Sequence, residues 1–290
     1  MCGILGIIDN IPITPKYFLF LLSKIQHRGQ EGFGIAWKDK DNIDFKKFVN
    51  KIELHNSFNY VNNSNMFIGH VRYSTSGKSK QSLNYSLYDE LQPIKGKSKC
   101  GEFILVHNGN LPNYLNLAND NFNLDSKDIA SDTNLIVKLI ESIDKDNWTD
   151  LLINLHEKLD RAYCLLIMTK EKVYVLRDSY GVRPLCIGYN ETGWCVSSES
   201  VVFNDYNFLR DVRPGEIIKI DTMGIKTIYL KKQEKKARCL FEYIYFLSEN
   251  SYQDDHQVSK LRYQYGSELA KQDLSYNFSL ENPLVVGSPT

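Results

Sequence analysis

Apolar residues along this chain follow two spacings, one typical of strands and one typical of helices. Short apolar runs bounded by glycine or polar residues predict buried strands, and such runs alternate with turns from Ala162 onward. The His107–Asn110 segment follows one of these runs and has the residues of a turn. Strands are predicted at Met1–Asp9, Gly34–Trp37, Met66–Val71, Glu102–Val106, Tyr163–Met168, Val173–Arg177, Leu185–Gly188, Trp194–Ser197, Glu216–Ile220 and Lys226–Leu230.

Helical spacing follows two good capping positions. Thr14 and Pro15 suit the cap and first turn of a helix that Gly29 can end, and Ser131 can cap a second helix. A third helix is predicted at Leu151–Leu159. The apolar positions of the first two are Phe18, Leu22 and Ile25, and Leu135, Ile136, Leu139, Ile140 and Ile143. Helices placed between two groups of strands predict an α+β fold of stacked sheets with helices outside.

A polar, lysine-rich stretch at Lys231–Arg238 predicts a domain boundary. We therefore expect one complete domain over residues 1–231 and the start of a second unit over residues 232–290. The features predicted beyond the boundary are a helix with Val258, Leu261, Tyr265 and Leu269 on one face and a short strand at Leu284–Val286.

Composition narrows the class of protein. The chain has 290 residues, of which 42% are hydrophobic and 24% are charged, as in an ordinary globular protein. Lys+Arg and Asp+Glu number 35 each, and this balance argues against a nucleic-acid-binding protein. The apolar runs are far shorter than the roughly 20 residues of a membrane span, and the N-terminus lacks the basic start of a signal peptide. Six scattered cysteines without a CxxC pair predict free thiols and a cytoplasmic protein.

The strongest chemical signal is Cys2. Initiator methionine is ordinarily removed when a small residue follows it, which would make Cys2 the first residue. Its thiol, with an ordinary pKa of about 8.5, would then lie beside its own α-amine, with an ordinary pKa of about 7.7–8.0. The amine can take the thiol proton without a separate histidine, as in N-terminal nucleophile enzymes. The structural alternative is a cysteine that serves as a small buried residue.

Three further segments hold groups that an acyl-transfer site for an amino-acid amide needs. Arg72 follows an apolar strand, and its guanidinium can bind a carboxylate with two hydrogen bonds. Asp132 can pair with an ammonium group, and Asn108 with Gly109 can stabilise a tetrahedral oxyanion. The alternatives are a surface charge for Arg72, an acid favoured by the helix dipole for Asp132, and a simple turn for Asn108-Gly109.

Together with Cys2, these segments resemble the class II, or N-terminal nucleophile, glutamine amidotransferases. Within that family they resemble the amidophosphoribosyltransferases of purine biosynthesis, because Gln30 follows His27-Arg28-Gly29 and an aromatic run occupies Phe241–Phe246. The matching segments are Met1–Ile4, His27–Gln30, Gly69–Thr75, His107–Leu111, Ser131-Asp132, Arg177-Asp178, Gly181–Leu185, Arg210–Val212, Pro214–Glu216 and Cys239–Phe246. They cover the chain nearly end to end.

The resemblance implies a four-layer αββα sandwich over about residues 2–231, followed by the beginning of an α/β phosphoribosyltransferase domain. It implies that the first domain releases ammonia from L-glutamine for the formation of 5-phosphoribosylamine. It implies that Cys2 is the nucleophile and that the Cys2 amine is the general base. It implies that Asn108 and Gly109 form the oxyanion hole, that Arg72 binds the glutamine carboxylate and that Asp132 binds its ammonium group. The residues that it implies line or close the pocket are Tyr73, Thr75 and Arg28.

Candidate metal ligands are expected to have other roles. His27, His70 and His107 belong to separate motifs without the short spacing of metal ligands, so structural hydrogen bonding is expected. Cys239 matches one iron–sulfur ligand of some family members, but four thiolates are the usual requirement. No cluster and no other cofactor is therefore predicted for this chain, and Mg²⁺ is expected only with a complete phosphoribosyltransferase domain.

The expected partners follow from the same resemblance. They are L-glutamine, a phosphoribosyltransferase domain or subunit that binds 5-phosphoribosyl diphosphate, and a second copy of the chain in a homo-oligomer; nucleic acid and membrane are not expected. Three hypotheses stay open: a glutaminase half-enzyme, a non-catalytic or regulatory remnant that pairs with a complete enzyme, and a fragment of a longer synthase. The glutaminase of another class II amidotransferase is a further alternative.

Overall fold

Two antiparallel sheets form the centre of the computed structural model. The structure describes residues 1–53, 61–73, 87–112, 114, 118, 129, 131–159, 162–231 and 235–275. Thr75 and the predicted strand at Leu284–Val286 lie outside the described residues. Strands and helices are numbered below in chain order.

The first sheet has seven strands, and the strand that follows Cys2 lies at its centre. In spatial order the strands are β11 (Asn207–Asp211), β9 (Cys186–Tyr189), β10 (Gly193–Ser197), β1 (Gly3–Ile13), β4 (Ser64–Arg72), β2 (Gly32–Asp39) and β3 (Asn42–Val49). Gly3 of β1 lies opposite Val71 of β4. This register brings Cys2 to the same end of the sheet as Arg72.

The second sheet has six strands. In spatial order they are β13 (Gly224–Leu230), β12 (Glu216–Asp221), β8 (Val173–Arg177), β7 (Ala162–Met168), β6 (Gly101–Asn110) and β5 (Ile94–Ser98). A separate hairpin pairs β14 (Tyr252–Gln253) with β15 (His256–Gln257).

The described helices are α1 (Pro15–Ser23), α2 (Leu87–Glu90), α3 (Asp132–Ser142), α4 (Trp148–Lys158) and α5 (Val258–Ser275), with 3-10 turns at Gln26–Arg28 and Ser200–Val202 and a π-helical turn at Glu242–Phe246. Three of the five described helices, α1, α3 and α4, begin at a residue whose side chain caps the helix. Thr14 accepts a hydrogen bond from the Tyr17 amide, and Ser131 accepts one from the Asn134 amide, so both predicted caps are confirmed.

Three large apolar cores separate four layers. The core between the sheets combines residues of both, including Ile4, Ile68, Val106, Leu166 and Val175. Helix α1 packs its buried side chains on the outer face of the seven-stranded sheet, and α3 and α4 do so on the six-stranded sheet. The expected αββα arrangement is therefore confirmed, because each sheet buries one face on its partner and the other on helices.

Within the two large sheets, the three strands that the sequence left unpredicted are edge strands, and the fourth edge strand, β13, was predicted. The short strands β14 and β15 were also unpredicted. Asn42–Val49, Ile94–Ser98 and Asn207–Asp211 each occupy the end of a sheet. Edge strands carry polar and charged residues, which weakens the apolar signal that marks interior strands. The predicted turn at His107–Asn110 is wrong, since these residues continue β6 and pair with β7.

Beyond residue 231 the chain contacts residues of the predicted first domain. The Ala237 amide donates to the Tyr180 carbonyl at 3.0 Å, and the Asp254 amide donates to the Asp211 carboxylate at 2.8 Å. On the predicted face of α5, Val258 is buried and Leu261 packs beside it, whereas Tyr265 and Leu269 are 38% and 61% exposed. The division into residues 1–231 and 232–290 stays a prediction. Among the described helices, none is long and apolar enough to cross a membrane.

His70 of β4 is buried between the sheets, and its two ring nitrogens have no hydrogen-bond partner within the described part of the chain. Burial lowers the pKa of its imidazole to about 3, and the positive charge of Arg72 acts in the same direction. The unfolded chain therefore binds a proton at the ordinary pKa of about 6.5 that the folded chain does not bind. The contribution of His70 to the free energy of unfolding is therefore fully present above about pH 6.5. It is lost progressively as the pH falls from there towards about 3.

We predict that the free energy of unfolding falls between pH 7 and pH 5, by roughly 2 kcal/mol through His70 alone. His70→Leu should remove this part of the fall, as measured by urea denaturation at each pH. His256→Leu, at an exposed histidine, is the control and should leave the pH dependence unchanged. An equally steep fall in His70→Leu would contradict the burial of a neutral imidazole.

Candidate active site

Cys2 lies directly before β1, at the end of the sheet where β4 also ends. Its thiol donates to the Tyr73 carbonyl, with the sulfur 3.7 Å from the oxygen. Burial raises the pKa of the Cys2 thiol above its ordinary value. In this structure Cys2 is therefore a protonated thiol that needs a base before it can act as a nucleophile.

A cavity of about 220 Å³ opens beside Cys2. Pockets for drug-sized ligands are usually about 300–1,000 Å³, so this one suits a single small molecule such as an amino acid. Its walls come from both sheets and from the start of α3. The lining residues are Cys2, Arg72, Tyr73, Glu90, Gln92, His107, Gly109, Asn110, Tyr114, Ser131, Asp132 and Thr133.

Arg72 reaches the cavity from the end of β4. Its two terminal nitrogens form ion pairs with the carboxylates of Glu31 and Glu90. The Arg72 side chain is 11% exposed, and those of Glu31 and Glu90 are 37% and 17% exposed. A ligand carboxylate would therefore compete with carboxylates of the chain itself. Neither glutamate was among the predicted site residues.

Asp132 is the first residue of α3, where the helix dipole favours a negative charge. One carboxylate oxygen accepts the Leu111 amide at 3.1 Å, and the other accepts the Thr133 amide at 2.8 Å. These bonds fix the carboxylate at the cavity wall. Its fractional exposure of 21% leaves it able to meet a cationic group in the cavity.

Gln92 and Thr133 connect the cavity wall behind His107. The His107 amide donates to Gln92 Oε1 at 2.6 Å, and Gln92 Nε2 donates to Thr133 Oγ1 at 3.0 Å. His107 Nδ1 lies 3.2 Å from the same hydroxyl oxygen. Burial lowers the pKa of His107, which favours a neutral ring with a structural role. Gln92 and Thr133 went unrecognised in the sequence because neither belongs to a chemical motif.

Gly109 lines the cavity at a position where only glycine fits. A Cβ there would lie 2.3 Å from the Ala162 carbonyl oxygen and 2.4 Å from His107 Nε2. Asn108 is buried, and its Nδ2 donates to Ser198 Oγ across the sheets at 3.3 Å. Asn108 is therefore beside the cavity but not among its lining residues, and the oxyanion role of this pair stays a prediction.

Arg28 was expected around the pocket, but the structure places it behind Cys2 and outside the cavity lining. It is completely buried, and its Nε donates to the Cys2 carbonyl at 3.0 Å. The reason is electrostatic, since Glu199 and Glu242 neutralise its guanidinium in the interior.

The described residues contain no group of three or more histidine, cysteine, aspartate or glutamate side chains that could hold a metal ion. His27 contacts Glu199, whereas His70 and His107 are buried. The absence of an iron–sulfur cluster at Cys239 stays a prediction.

Met1 decides whether Cys2 has an amine. Its side chain is buried, with the sulfur in contact with Arg183, and burial lowers the pKa of its α-amino group to about 6. While Met1 is present, the Cys2 nitrogen is a peptide N–H and cannot take the thiol proton.

The chain is similar to known proteins over most of its length. Residues 82–205 match the glutamine amidotransferase domain family. Amidophosphoribosyltransferases from Archaeoglobus fulgidus and Homo sapiens are 34% and 32% identical to it, over 94% and 93% of this chain. The chain spans only 60% and 58% of the length of those relatives.

Two solved structures share the fold. One, described as the allosteric regulatory enzyme of purine biosynthesis, is 32% identical with a TM-score of 0.83, and covers 93% of this chain and 58% of its own. The other is the glutamine phosphoribosylpyrophosphate amidotransferase of B. subtilis complexed with ADP and GMP. It is 30% identical with a TM-score of 0.80, over the same shares of the two chains.

We predict that iodoacetamide modifies Cys2 at pH 7.5 at least about tenfold faster when Cys2 is the first residue than when Met1 is retained. A factor of ten corresponds to one unit of pKa, and the free amine can take the thiol proton. Release of Cys2 from an N-terminal fusion by a protease gives the first form, and intact mass verifies both. Cys2→Ala measures the background from the other cysteines. Equal rates in the two forms would contradict the role of the amine.

Proposed function

We infer, since the chain belongs to the glutamine amidotransferase family, that the cavity beside Cys2 binds L-glutamine and cleaves its side-chain amide to release ammonia. One observation carries this proposal. Cys2, Arg72, Gly109 and Asp132 come from four distant segments, and all of them line the same cavity. They are the groups that attack on an amino-acid amide requires, and the cavity has the size for one amino acid.

The proposed reaction begins after removal of Met1. The Cys2 amine takes the proton of its own thiol, and the sulfur attacks the amide carbon of glutamine. The Gly109 amide and the Asn108 side chain, once turned away from Ser198, stabilise the resulting oxyanion. As the C–N bond breaks, the proton passes from the Cys2 ammonium to the departing ammonia and a glutamyl thioester remains.

Water completes the cycle. The Cys2 amine takes a proton from a water molecule, whose oxygen attacks the thioester carbon. The C–S bond then breaks, the sulfur regains the proton, and glutamate leaves. Each turn thus converts one glutamine and one water into glutamate and ammonia without an external base.

Recognition of glutamine is assigned to the two ends of its amino-acid group. Arg72 binds the α-carboxylate, and Asp132 binds the α-ammonium. Because Glu31 and Glu90 already neutralise Arg72, the substrate must displace at least one of them. Tyr73 closes the cavity beside Cys2, and Thr75 follows it outside the described residues.

We further propose that the ammonia forms 5-phosphoribosylamine from 5-phosphoribosyl diphosphate, on a phosphoribosyltransferase domain or subunit that binds Mg²⁺. The names of the relatives support this use of the ammonia. A cytoplasmic location is proposed with it, because all six cysteines are free thiols, as is usual in a reducing compartment.

We predict that protein with Cys2 at its N-terminus releases glutamate from glutamine and that Cys2→Ala abolishes this activity. A coupled glutamate assay measures the rate, and mass spectrometry should locate 6-diazo-5-oxo-norleucine on Cys2. Cys100→Ala is the matched control and should retain activity. Absence of both turnover and label would favour the non-catalytic, regulatory hypothesis. Phosphoribosylamine formation with added 5-phosphoribosyl diphosphate tests the transfer separately.

We predict that Glu90→Gln lowers the KM for glutamine about fivefold with little change in kcat. Removing one competing carboxylate is worth on the order of 1 kcal/mol at a partly exposed ion pair. Steady-state kinetics measure both constants. Glu102→Gln, which removes an exposed carboxylate paired with Lys95, should change neither. An unchanged or higher KM in Glu90→Gln would refute competition for Arg72.

A further inference from the structure

Arg28 is the largest side chain that the structure buries completely. Each guanidinium nitrogen donates one hydrogen bond: Nε to the Cys2 carbonyl at 3.0 Å, Nη1 to Glu199 at 2.6 Å and Nη2 to Glu242 at 2.9 Å. The guanidinium is planar and rigid, so carboxylates that hold its terminal nitrogens also fix the direction of Nε–H. Arg28 thereby fixes the main chain of the nucleophile residue.

Glu199 connects Arg28 to the chain beyond residue 231. Besides Arg28 and His27, its carboxylate accepts the Ser248 amide at 2.8 Å and the Ser251 hydroxyl at 2.9 Å. Burial alone would raise the pKa of Glu199, but Arg28 and His27 lower it to about 2. The carboxylate is therefore ionised, and both of its oxygens are hydrogen-bonded.

Glu242 belongs to the π-helical turn, and its Oε1 lies between two cations. It accepts from Arg28 Nη2 and lies 3.6 Å from Arg183 Nη1. The side chains of Glu242, Arg28 and Arg183 are 2%, 0% and 15% exposed. Oε2 of Glu242 is buried without a hydrogen-bond partner within the described ranges. Since a buried charge needs its counter-charges, loss of Glu242 must rearrange Arg28.

Residues 239–258 form a segment, here named the coupling segment, that is hydrogen-bonded to α5. Arg262 of α5 donates from Nε to the Tyr243 carbonyl at 2.9 Å and from Nη2 to the Leu247 carbonyl at 2.7 Å. Tyr243, Leu247 and Val258 also form a small apolar core. An unbroken set of contacts thus runs from α5 through Glu242 and Arg28 to the main chain of Cys2.

We propose that Arg28, oriented by Glu199 and Glu242, is a positioning residue for the Cys2 nucleophile, so that the coupling segment controls the rate of glutamine cleavage. This proposal rests on the proposed function and adds to it a way in which another part of the chain sets the rate of the reaction. Arg28 and Glu242 do not line the cavity, and Arg72 and Asp132 do not contact the coupling segment in any hydrogen bond or ion pair found within the described residues. Displacement of Arg28 should therefore slow attack by sulfur without weakening glutamine binding.

The test compares Glu242→Gln and Arg28→Lys with Glu216→Gln in the full chain with Cys2 at its N-terminus. Glu216 is an equally buried carboxylate, held by Arg210, Arg213 and Thr227 away from the cavity, so it controls for the loss of a buried charge. In Glu242→Gln and Arg28→Lys, kcat for glutamate release should fall about 10- to 100-fold, because small misplacements of reacting groups have effects of this size. The KM for glutamine should stay within about twofold. The rate of Cys2 modification by iodoacetamide should change in both variants but not in Glu216→Gln.

The proposal is overturned if Glu242→Gln keeps kcat and the Cys2 modification rate equal to those of Glu216→Gln, or if KM rises in place of a fall in kcat. Should Glu242→Gln fail to fold, Arg262→Gln decides instead: a lower kcat at constant KM supports the proposal, and an unchanged kcat overturns it. Failure of the unchanged protein to release glutamate would count against the proposed function, while the Cys2 modification rates would still test the position of Cys2.

Discussion

Antiparallel pairing between β1 and β4 fixes the place of the nucleophile. Gly3 lies opposite Val71, so Cys2 and Arg72 reach the same end of the seven-stranded sheet from distant parts of the chain. A slip of one residue would turn the side chains of one strand to the opposite face of the sheet. The burial of apolar side chains between the sheets therefore holds the thiol and the guanidinium in one relation to each other.

Two arginines lie near Cys2, and both are paired with carboxylates. They differ in how exposed their ion pairs are. Arg72 and Arg28 each bind two carboxylates, but the side chains around Arg72 are 11–37% exposed and those around Arg28 are 0–2% exposed. An ion pair can exchange its partner for a ligand only where a ligand can reach it. Arg72 is therefore suited to binding a substrate carboxylate, and Arg28 to holding the protein chain.

The layered fold was predictable because burial leaves a periodic trace in the sequence. Interior strands and the capped helices were found. Of the four edge strands of the two large sheets, β13 was found and β3, β5 and β11 were not, since polar residues at a sheet edge weaken the apolar pattern. At Asn108-Gly109 the local preference for a turn was outweighed by pairing with β7. That pairing depends on residues far along the chain and leaves no local signal.

By itself, the sequence predicted stacked sheets with helices outside and the candidate roles of Cys2, Arg72, Gly109 and Asp132, because residue type and hydrophobic spacing are local properties. Only the tertiary structure decided which carboxylates meet which arginine, since Coulomb pairing depends on distances between residues that folding alone brings together. In the structure Arg28 lies behind Cys2 and outside the predicted pocket. It binds the Cys2 carbonyl and also Glu242, which belongs to the chain beyond residue 231. The position of Arg28 differs from its predicted position because buried charges pack against each other, and sequence spacing does not encode that packing.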